Sequence, residues 1–169
     1  NEAADSILRV NPLKTSQAEL KRHLEKSGCL VEDDVPLPNA LRIVKGGALP
    51  RSKWFQNGHF FLQDTASMLP GTLLEPQTGD RVLDMCAAPG GKTTHLAELS
   101  GGGAHIIAMD SSRKRLWKVQ ENIDRLESPG IDILCGDALH PPVSGGFDRV
   151  LVDAPCSGLG TLRRHPDLK

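Results

Sequence analysis

The sequence lacks long apolar runs and paired cysteines. No stretch approaches the roughly 20 consecutive apolar residues that a membrane-spanning helix needs, and the opening NEAADSILRV has no basic region before an apolar core, so no export signal is visible. The four cysteines, Cys29, Cys86, Cys135 and Cys156, form no CxxC pair, which argues against a disulfide framework or a zinc site. We expect a cytoplasmic protein with reduced thiols, no metal and no membrane association.

An excess of charge of one sign is also missing. The net charge is −1 over 169 residues, which gives no overall electrostatic argument for nucleic acid. Basic residues do cluster near the start, around Lys21 and Arg22, and at the end, with Arg163, Arg164 and His165. Acidic residues dilute the first cluster, so charge alone favours a solvated helix face there.

Local patterns predict a small unit over residues 1–53. The stretch 8–13 is typical of a short strand, and Ser16 can cap a helix that Gly28 ends. The stretch 41–44 is typical of a strand that returns after a turn rich in proline. Together these elements predict a β-α-β unit.

Residues 54–80 are expected to connect this unit to the main domain. They are rich in aromatics and then helical, and we expect Pro70 to interrupt or end the helix. Over residues 81–169 strands and helices alternate regularly, which predicts a parallel, doubly wound α/β sheet. The predicted strands are 81–84, 104–109, 131–134 and 150–152, and the predicted helices are 92–99 and 112–126.

The loop after the first core strand reads DMCAAPGGKTTH, from Asp84 to His95. Glycines let a ligand approach the backbone closely, and the amides at a helix start favour negative charge. The GGKTT portion resembles a phosphate-binding P-loop, but GxxxxGK[ST] requires a glycine five residues before Gly91, where Cys86 stands. A turn that binds no ligand is the other interpretation, so the loop alone leaves the ligand open.

Acidic residues stand at the ends of four core strands. Asp110 ends the second strand, where a carboxylate can accept hydrogen bonds from both hydroxyls of an adenosine ribose, although capping of the next helix is the alternative. Asp137 follows the third strand, within reach of an adenine amino group, and Asp84 and Asp153 follow the first and fourth. The loop has no GxGxxG, which a nicotinamide cofactor would require. The pattern favours S-adenosylmethionine.

Two long motifs carry a family resemblance. CAAPGGKTTH at 86–95 and DAPCSGLGTLRRHPD at 153–167, with LRVNPLK at 8–14 and NGHFFLQDTAS at 57–67, make the chain resemble the RNA cytosine-C5 methyltransferases of the Sun-domain group. The resemblance implies a Rossmann-like, S-adenosylmethionine-dependent methyltransferase sheet, here its first four strands, preceded by a small α+β RNA-recognition-like unit. It also implies an RNA substrate, namely small-subunit ribosomal RNA, and we expect a monomer.

The resemblance also assigns roles to residues of this chain. Asp110 would hold the ribose, Asp137 would meet the adenine, and Asp153 would lie between the cofactor and the target base. The basic residues named above, near the start and at the end of the chain, become candidate RNA contacts. The residues that would wrap the methionine part of the cofactor are Cys86, Ala87, Ala88, Pro89, Gly90, Gly91 and Lys92.

The chemistry that the resemblance implies needs cysteine. A thiolate that adds to C6 of cytosine makes C5 nucleophilic enough to take a methyl group. Cys156 would assist product release, Asp153 would stabilise charge on the ring, and Lys92 could raise the thiolate fraction of a nearby cysteine. The family's attacking thiol lies in a later motif, so we expect it beyond Lys169 and expect this chain to be a fragment that binds the cofactor weakly without turnover. We expect Cys135, at a strand end, to be buried.

Two other functions stay open. A non-catalytic scaffold could use the same fold to bind RNA without the cofactor. A P-loop NTPase would instead bind ATP with magnesium. Titration with S-adenosylmethionine separates both from a methyltransferase.

Overall fold

Two four-stranded sheets follow one another along the chain in the computed structural model, which describes residues 6–33, 35–46 and 49–154. The elements of the first part are β1 (Ser6–Val10), α1 (Gln17–Lys26), β2 (Leu30–Glu32), β3 (Ala40–Lys45), a 3-10 turn (Leu49–Arg51), α2 (Lys53–Gln56) and β4 (Phe60–Leu62). The first sheet is antiparallel, in the order β2-β3-β1-β4. No helix within the described ranges is long and apolar enough to cross a membrane.

The helix α1 forms where the sequence predicts it. The Ser16 hydroxyl accepts a hydrogen bond from the Glu19 amide at 3.2 Å, and Leu20 and Leu24 are buried in the core of this unit. Gly28, just past the end of α1, has a φ of +86°, which a side chain would disfavour. The predicted β-α-β order is present, but the prediction is incomplete because β2 and β4 extend the sheet to four strands.

The segment 54–80 contributes to both halves of the molecule. Its strand β4 pairs with β1, with Arg9 opposite Phe61, so this segment supplies one edge of the first sheet. Its helix, α3 (Thr65–Leu74), packs against a helix of the second half, α4 (Gly91–Leu99). The two sheets are therefore joined by packed structure rather than by an extended linker.

The prediction that Pro70 interrupts or ends the helix of this segment is wrong, because α3 runs through it. Met68 and Gly71, on either side of Pro70, are both buried. Gly71 lies so close to α4 that a Cβ on it would come within 2.8 Å of the His95 Nδ1 atom. Close packing thus holds the helix together although the proline ring removes one backbone donor.

The second sheet confirms the predicted α/β fold. Its strands are β5 (Arg81–Asp84), β6 (His105–Asp110), β7 (Ile131–Cys135) and β8 (Arg149–Leu151), with α4 after β5 and α5 (Arg113–Leu126) after β6. All three pairings are parallel, in the order β7-β6-β5-β8. Because β5 lies in the middle, the loop that follows it opens at the centre of the carboxyl edge, where parallel sheets bind ligands.

A buried arginine connects the two halves. Arg9 on β1 forms an ion pair with Glu98 on α4, with 2.7 Å between Nε and Oε2, and the two side chains are 0% and 2% exposed. Arg9 also donates to the Gly91 carbonyl at 2.6 Å and to the Thr94 hydroxyl at 2.9 Å, and it contacts the amide oxygen of Gln63. Since Gly91 begins α4, this cation fixes the first sheet against the end of the glycine loop.

Candidate active site

The glycine loop lies between α5 and the first sheet. Gly90 caps α4 with a φ of +100°, and a Cβ there would lie 3.1 Å from the Val119 Cα of α5. On the other side, a Cβ on Gly91 would lie 3.1 Å from the ring of Phe61. Gly90 favours glycine because its φ is positive and the α5 backbone is close, while a side chain at Gly91 would have to displace the Phe61 ring.

A cleft of about 470 Å³ opens beside this loop. One wall is the loop and the start of α4, and the other is the edge of the first sheet with the residues that lead into α3. Of the predicted cofactor residues, the structure brings together Cys86, Ala87, Ala88, Pro89, Gly91, Lys92 and Asp153. The opposite wall consists of Ser6, Ile7, Phe61, Leu62, Gln63, Asp64 and Ser67, which we did not predict residue by residue.

Asp84, at the end of β5, lies under the loop. Its side chain accepts hydrogen bonds from the Thr93 hydroxyl at 2.7 Å and from the Cys86 amide at 3.3 Å. Burial raises the pKa of Asp84 to about 6, and these hydrogen bonds and Lys92 only partly oppose the rise. Asp84 therefore fixes the loop from beneath and is protonated in part near neutral pH.

Lys92 and Asp153, which both line the cleft, form an ion pair. The Nζ and Oδ2 atoms are 2.6 Å apart, and the side chains are partly exposed. The Cys86 thiol, by contrast, has a raised pKa because burial and the nearby carboxylates of Asp84, Asp110 and Asp153 all disfavour the thiolate. This favours a neutral thiol at Cys86, and its assignment to the cofactor loop stays a prediction.

Asp110, at the end of β6, lies directly behind the loop with 1% of its side chain exposed. It accepts hydrogen bonds from the Ala88 amide at 3.2 Å and the Ser112 amide at 2.9 Å. One guanidinium nitrogen of Arg115 lies 2.9 and 2.8 Å from its two oxygens. Burial works against ionisation, but these donors outweigh it and hold the pKa of Asp110 below its usual value.

The helix-capping alternative for Asp110 is not what the structure shows. Ser112 is the N-cap of α5, and its hydroxyl accepts from the Arg115 amide at 3.3 Å. Asp110 instead links the loop to the first turn of α5. Sequence reasoning missed Arg115, although a cation five residues after a strand-terminal acid, one turn into the next helix, was a usable signal.

Two residues near the end of β7 lie outside the cleft. Asp137 is 59% exposed and accepts a hydrogen bond from the Leu139 amide at 3.0 Å. The prediction that Cys135 is buried is wrong: its side chain is exposed. The physical reason is that β7 is an edge strand, so its last residue has a neighbouring strand on one side only.

The candidate RNA contacts are placed only in part. Lys21 forms an ion pair with Asp33 at 2.9 Å, and Arg22 donates to the Ala18 carbonyl at 3.2 Å on the exposed surface of α1. Cys156, Arg163, Arg164 and His165 lie outside the described residues. Within the described ranges no group of three or more His, Cys, Asp or Glu side chains could hold a metal ion.

Residues 71–169 match the family described as 16S rRNA methyltransferase RsmB/F. The chain is 38% identical over 172 residues to ribosomal RNA small subunit methyltransferase B of Proteus mirabilis, and the match covers 100% of this chain and 40% of that protein. The chain thus spans about 40% of the length of such curated relatives.

Solved structures agree with the sequence match. A methyltransferase homologue from Pyrococcus horikoshii is 34% identical, with a TM-score of 0.86 over 96% of this chain and 54% of its own. NSun6 from the same organism, solved with SFG, is 26% identical, with a TM-score of 0.86 over 92% of this chain and 64% of its own. The fold, the glycine loop and these matches agree: the chain belongs to the RsmB/F family of 16S rRNA methyltransferases.

Proposed function

We propose that the cleft beside the glycine loop binds S-adenosylmethionine. We further propose that the whole protein methylates C5 of a cytosine in RNA. One observation carries the proposal: the loop from Cys86 to Lys92 and the strand-terminal Asp153 line a single cleft, with Asp110 directly behind it. Its volume, about 470 Å³, suits an adenosine joined to an amino acid.

The polar groups around the cleft fit this ligand. The buried, ionised carboxylate of Asp110 can accept hydrogen bonds from both ribose hydroxyls once these replace the guanidinium of Arg115. Asp137, at the end of the neighbouring strand, is proposed to meet the adenine amino group. Gly91 lines the cleft beside the start of α4, where the methionine part is proposed to lie. When bound, the cofactor supplies an electrophilic methyl group.

Asp153 and Lys92 are proposed to act on the base rather than to bind the cofactor alone. Asp153 is partly exposed at the mouth of the cleft, and its ion pair with Lys92 fixes the direction of the carboxylate. In that position it can stabilise charge that develops on the cytosine ring after a thiolate adds to C6. Cys156, three residues further on, is proposed to assist the later release of the thiol-linked product.

The substrate class follows from the family. The Proteus mirabilis relative is named for the small ribosomal subunit, so we propose small-subunit ribosomal RNA as the substrate of the whole protein. Lys21, Arg22, Arg163, Arg164 and His165 stay proposals as RNA contacts. The pairing of Lys21 with Asp33 requires that a phosphate compete with this acid for the ammonium group.

Calorimetric titration tests the cofactor and separates the rival functions. We expect one-to-one binding of S-adenosylmethionine and no magnesium-dependent binding of ATP. Binding of magnesium-ATP without binding of S-adenosylmethionine would assign the loop to a nucleotide triphosphate. RNA binding without either ligand would assign the chain to a scaffold that does not use the cleft.

A further inference from the structure

Trp117 projects from the outer face of α5 with 70% of its surface exposed. The chain has only two tryptophans, and the other, Trp54, stacks on His23 with 4.1 Å between ring centroids. Beside Trp117 a shallow groove of about 320 Å³ runs between α5 and the edge strand β7. It is lined by Arg113, Leu116, Trp117, Gln120, Ile133 and Cys135. The exposed ring and the groove beside it together form a candidate binding surface.

Cations surround this tryptophan. Four of the six residues from 113 to 118 are basic and exposed, namely Arg113, Lys114, Arg115 and Lys118. These cations begin at the N-terminus of α5, where positive charge opposes the helix dipole, and the first turn of the helix has no acidic residue to balance them. Helix stability therefore does not explain the cluster. Arg115 turns inward to Asp110, whereas the Lys118 ammonium lies 3.8 Å from Glu121 in a pair that is about 70% exposed and weak.

Two of the remaining cations lie beside the ring. Arg113 and Lys114 precede Trp117 by four and three residues, which places them beside it on the helix surface. An exposed ring with cations beside it is the combination that binds single-stranded nucleic acid, because a base stacks on the ring while its phosphates contact the cations. A nucleic-acid strand uses both the ring and the cations, whereas an apolar protein partner would use the groove alone.

We propose that the Trp117 surface, formed by Arg113, Lys114, Trp117 and Lys118, binds a single-stranded segment of RNA and stacks one base on Trp117. The inference rests on the proposed function in taking RNA as the substrate class. The helix α5 begins directly after Asp110, at the same carboxyl edge of the sheet as the cleft. The RNA segment bound here would flank the target nucleotide, which enters the cleft, and would help to position it.

Fluorescence anisotropy with a labelled single-stranded RNA of about ten nucleotides tests the proposal. Trp117→Ala weakens binding about 5- to 150-fold, the range for loss of one base-aromatic stack. The double change Lys114→Ala with Lys118→Ala lowers the slope of log affinity against log salt by about 0.7 for each phosphate that the protein no longer neutralises. Leu139→Ala removes another exposed apolar side chain, 82% exposed, and leaves the RNA affinity unchanged.

Unchanged RNA affinity in Trp117→Ala together with an unchanged salt slope in the double variant overturns the proposal. So does a change only in sedimentation behaviour, which would assign the surface to self-association. Circular dichroism checks that each variant folds. Titration of Trp117→Ala with S-adenosylmethionine separates the two proposals. Weaker RNA binding with wild-type affinity for the cofactor supports this inference. If RNA binding depends on Trp117 but the wild type does not bind the cofactor, only the proposed function is contradicted.

Discussion

One guanidinium nitrogen of Arg115 contacts both carboxylate oxygens of Asp110, at 2.9 and 2.8 Å. With the amides of Ala88 and Ser112, this contact fills the acceptor positions of a carboxylate that is almost fully buried. Arg115, half exposed, is the one of these donors that can move away, so under the proposed function a ribose diol would replace it at the carboxylate.

Arg115→Met should therefore make cofactor binding depend on pH. Without the guanidinium, only the Ser112 and Ala88 amides oppose the effect of burial, so the pKa of Asp110 is higher in the variant than in the wild type. As the pH is lowered, the affinity for S-adenosylmethionine should therefore begin to fall at a higher pH in the variant than in the wild type. Arg115→Lys should restore part of the difference. An equal pH dependence in all three proteins would contradict the role.

Arg9→Met should destabilise the whole chain. It leaves the Glu98 carboxylate buried without its cation and removes the hydrogen bond to the Gly91 carbonyl. Loss of one partner of a buried ion pair costs about 3–5 kcal/mol. Chemical denaturation measures this cost, and Arg9→Met combined with Glu98→Leu should recover part of it because no charge is then left unpaired. A cost below about 1 kcal/mol would show that the pair does not hold the two halves together.

His95 should make stability depend on pH. Its ring is 2% exposed, its Nδ1 has no hydrogen-bond partner among the described residues, and burial, aided by the charge of Arg9, lowers its pKa to about 3. In the unfolded chain a histidine takes up a proton near pH 6.5, whereas His95 in the folded chain stays neutral at that pH. The stability that His95 contributes is thus present above that pH and is lost as the pH falls toward 3.

The comparison of wild type with His95→Gln isolates this contribution. The difference in unfolding free energy should change by about 1.4 kcal/mol for each pH unit between about pH 6 and pH 4, and stay constant above about pH 7.5. Asp84, whose pKa is raised to about 6, has the opposite slope, since its stabilising effect is lost as the pH rises from about 4 to 6. Its effect is present in both proteins and cancels. A difference that does not change with pH would contradict a neutral, buried His95.

Gly90→Ala should impair both stability and cofactor binding. The φ of +100° and the Val119 backbone 3.1 Å from a Cβ make the change costly, by about 1–3 kcal/mol. Gly79→Ala is a matched control, because Gly79 has a φ of +91° but open space around its Cβ position. The control should lose stability to a similar or smaller degree and bind S-adenosylmethionine normally. Equal affinities of the two variants for S-adenosylmethionine would show that the glycine loop does not contribute to cofactor binding.

The sequence predicts the second sheet and the glycine loop well because both follow from local patterns. Short apolar runs separated by helical repeats define parallel strands, and the turn PGG at a strand end defines the loop. The first sheet is less predictable: β2 and β4 are three residues each, too short for a periodic signal. The position of the Arg9 side chain depends on a contact between distant parts of the chain, Arg9 with Glu98, which no local pattern shows.

Titration of the wild type and of Asp110→Ala with S-adenosylmethionine tests the central claim most directly. The wild type should bind, and Asp110→Ala should bind at least about tenfold more weakly, because two hydrogen bonds to a charged carboxylate are worth about 1.5–3 kcal/mol each. Asp124→Ala, which changes an exposed acid near the far end of α5, should bind like the wild type. Equal affinity of Asp110→Ala and the wild type, or no binding by the wild type, would contradict the assignment of the cleft to the cofactor.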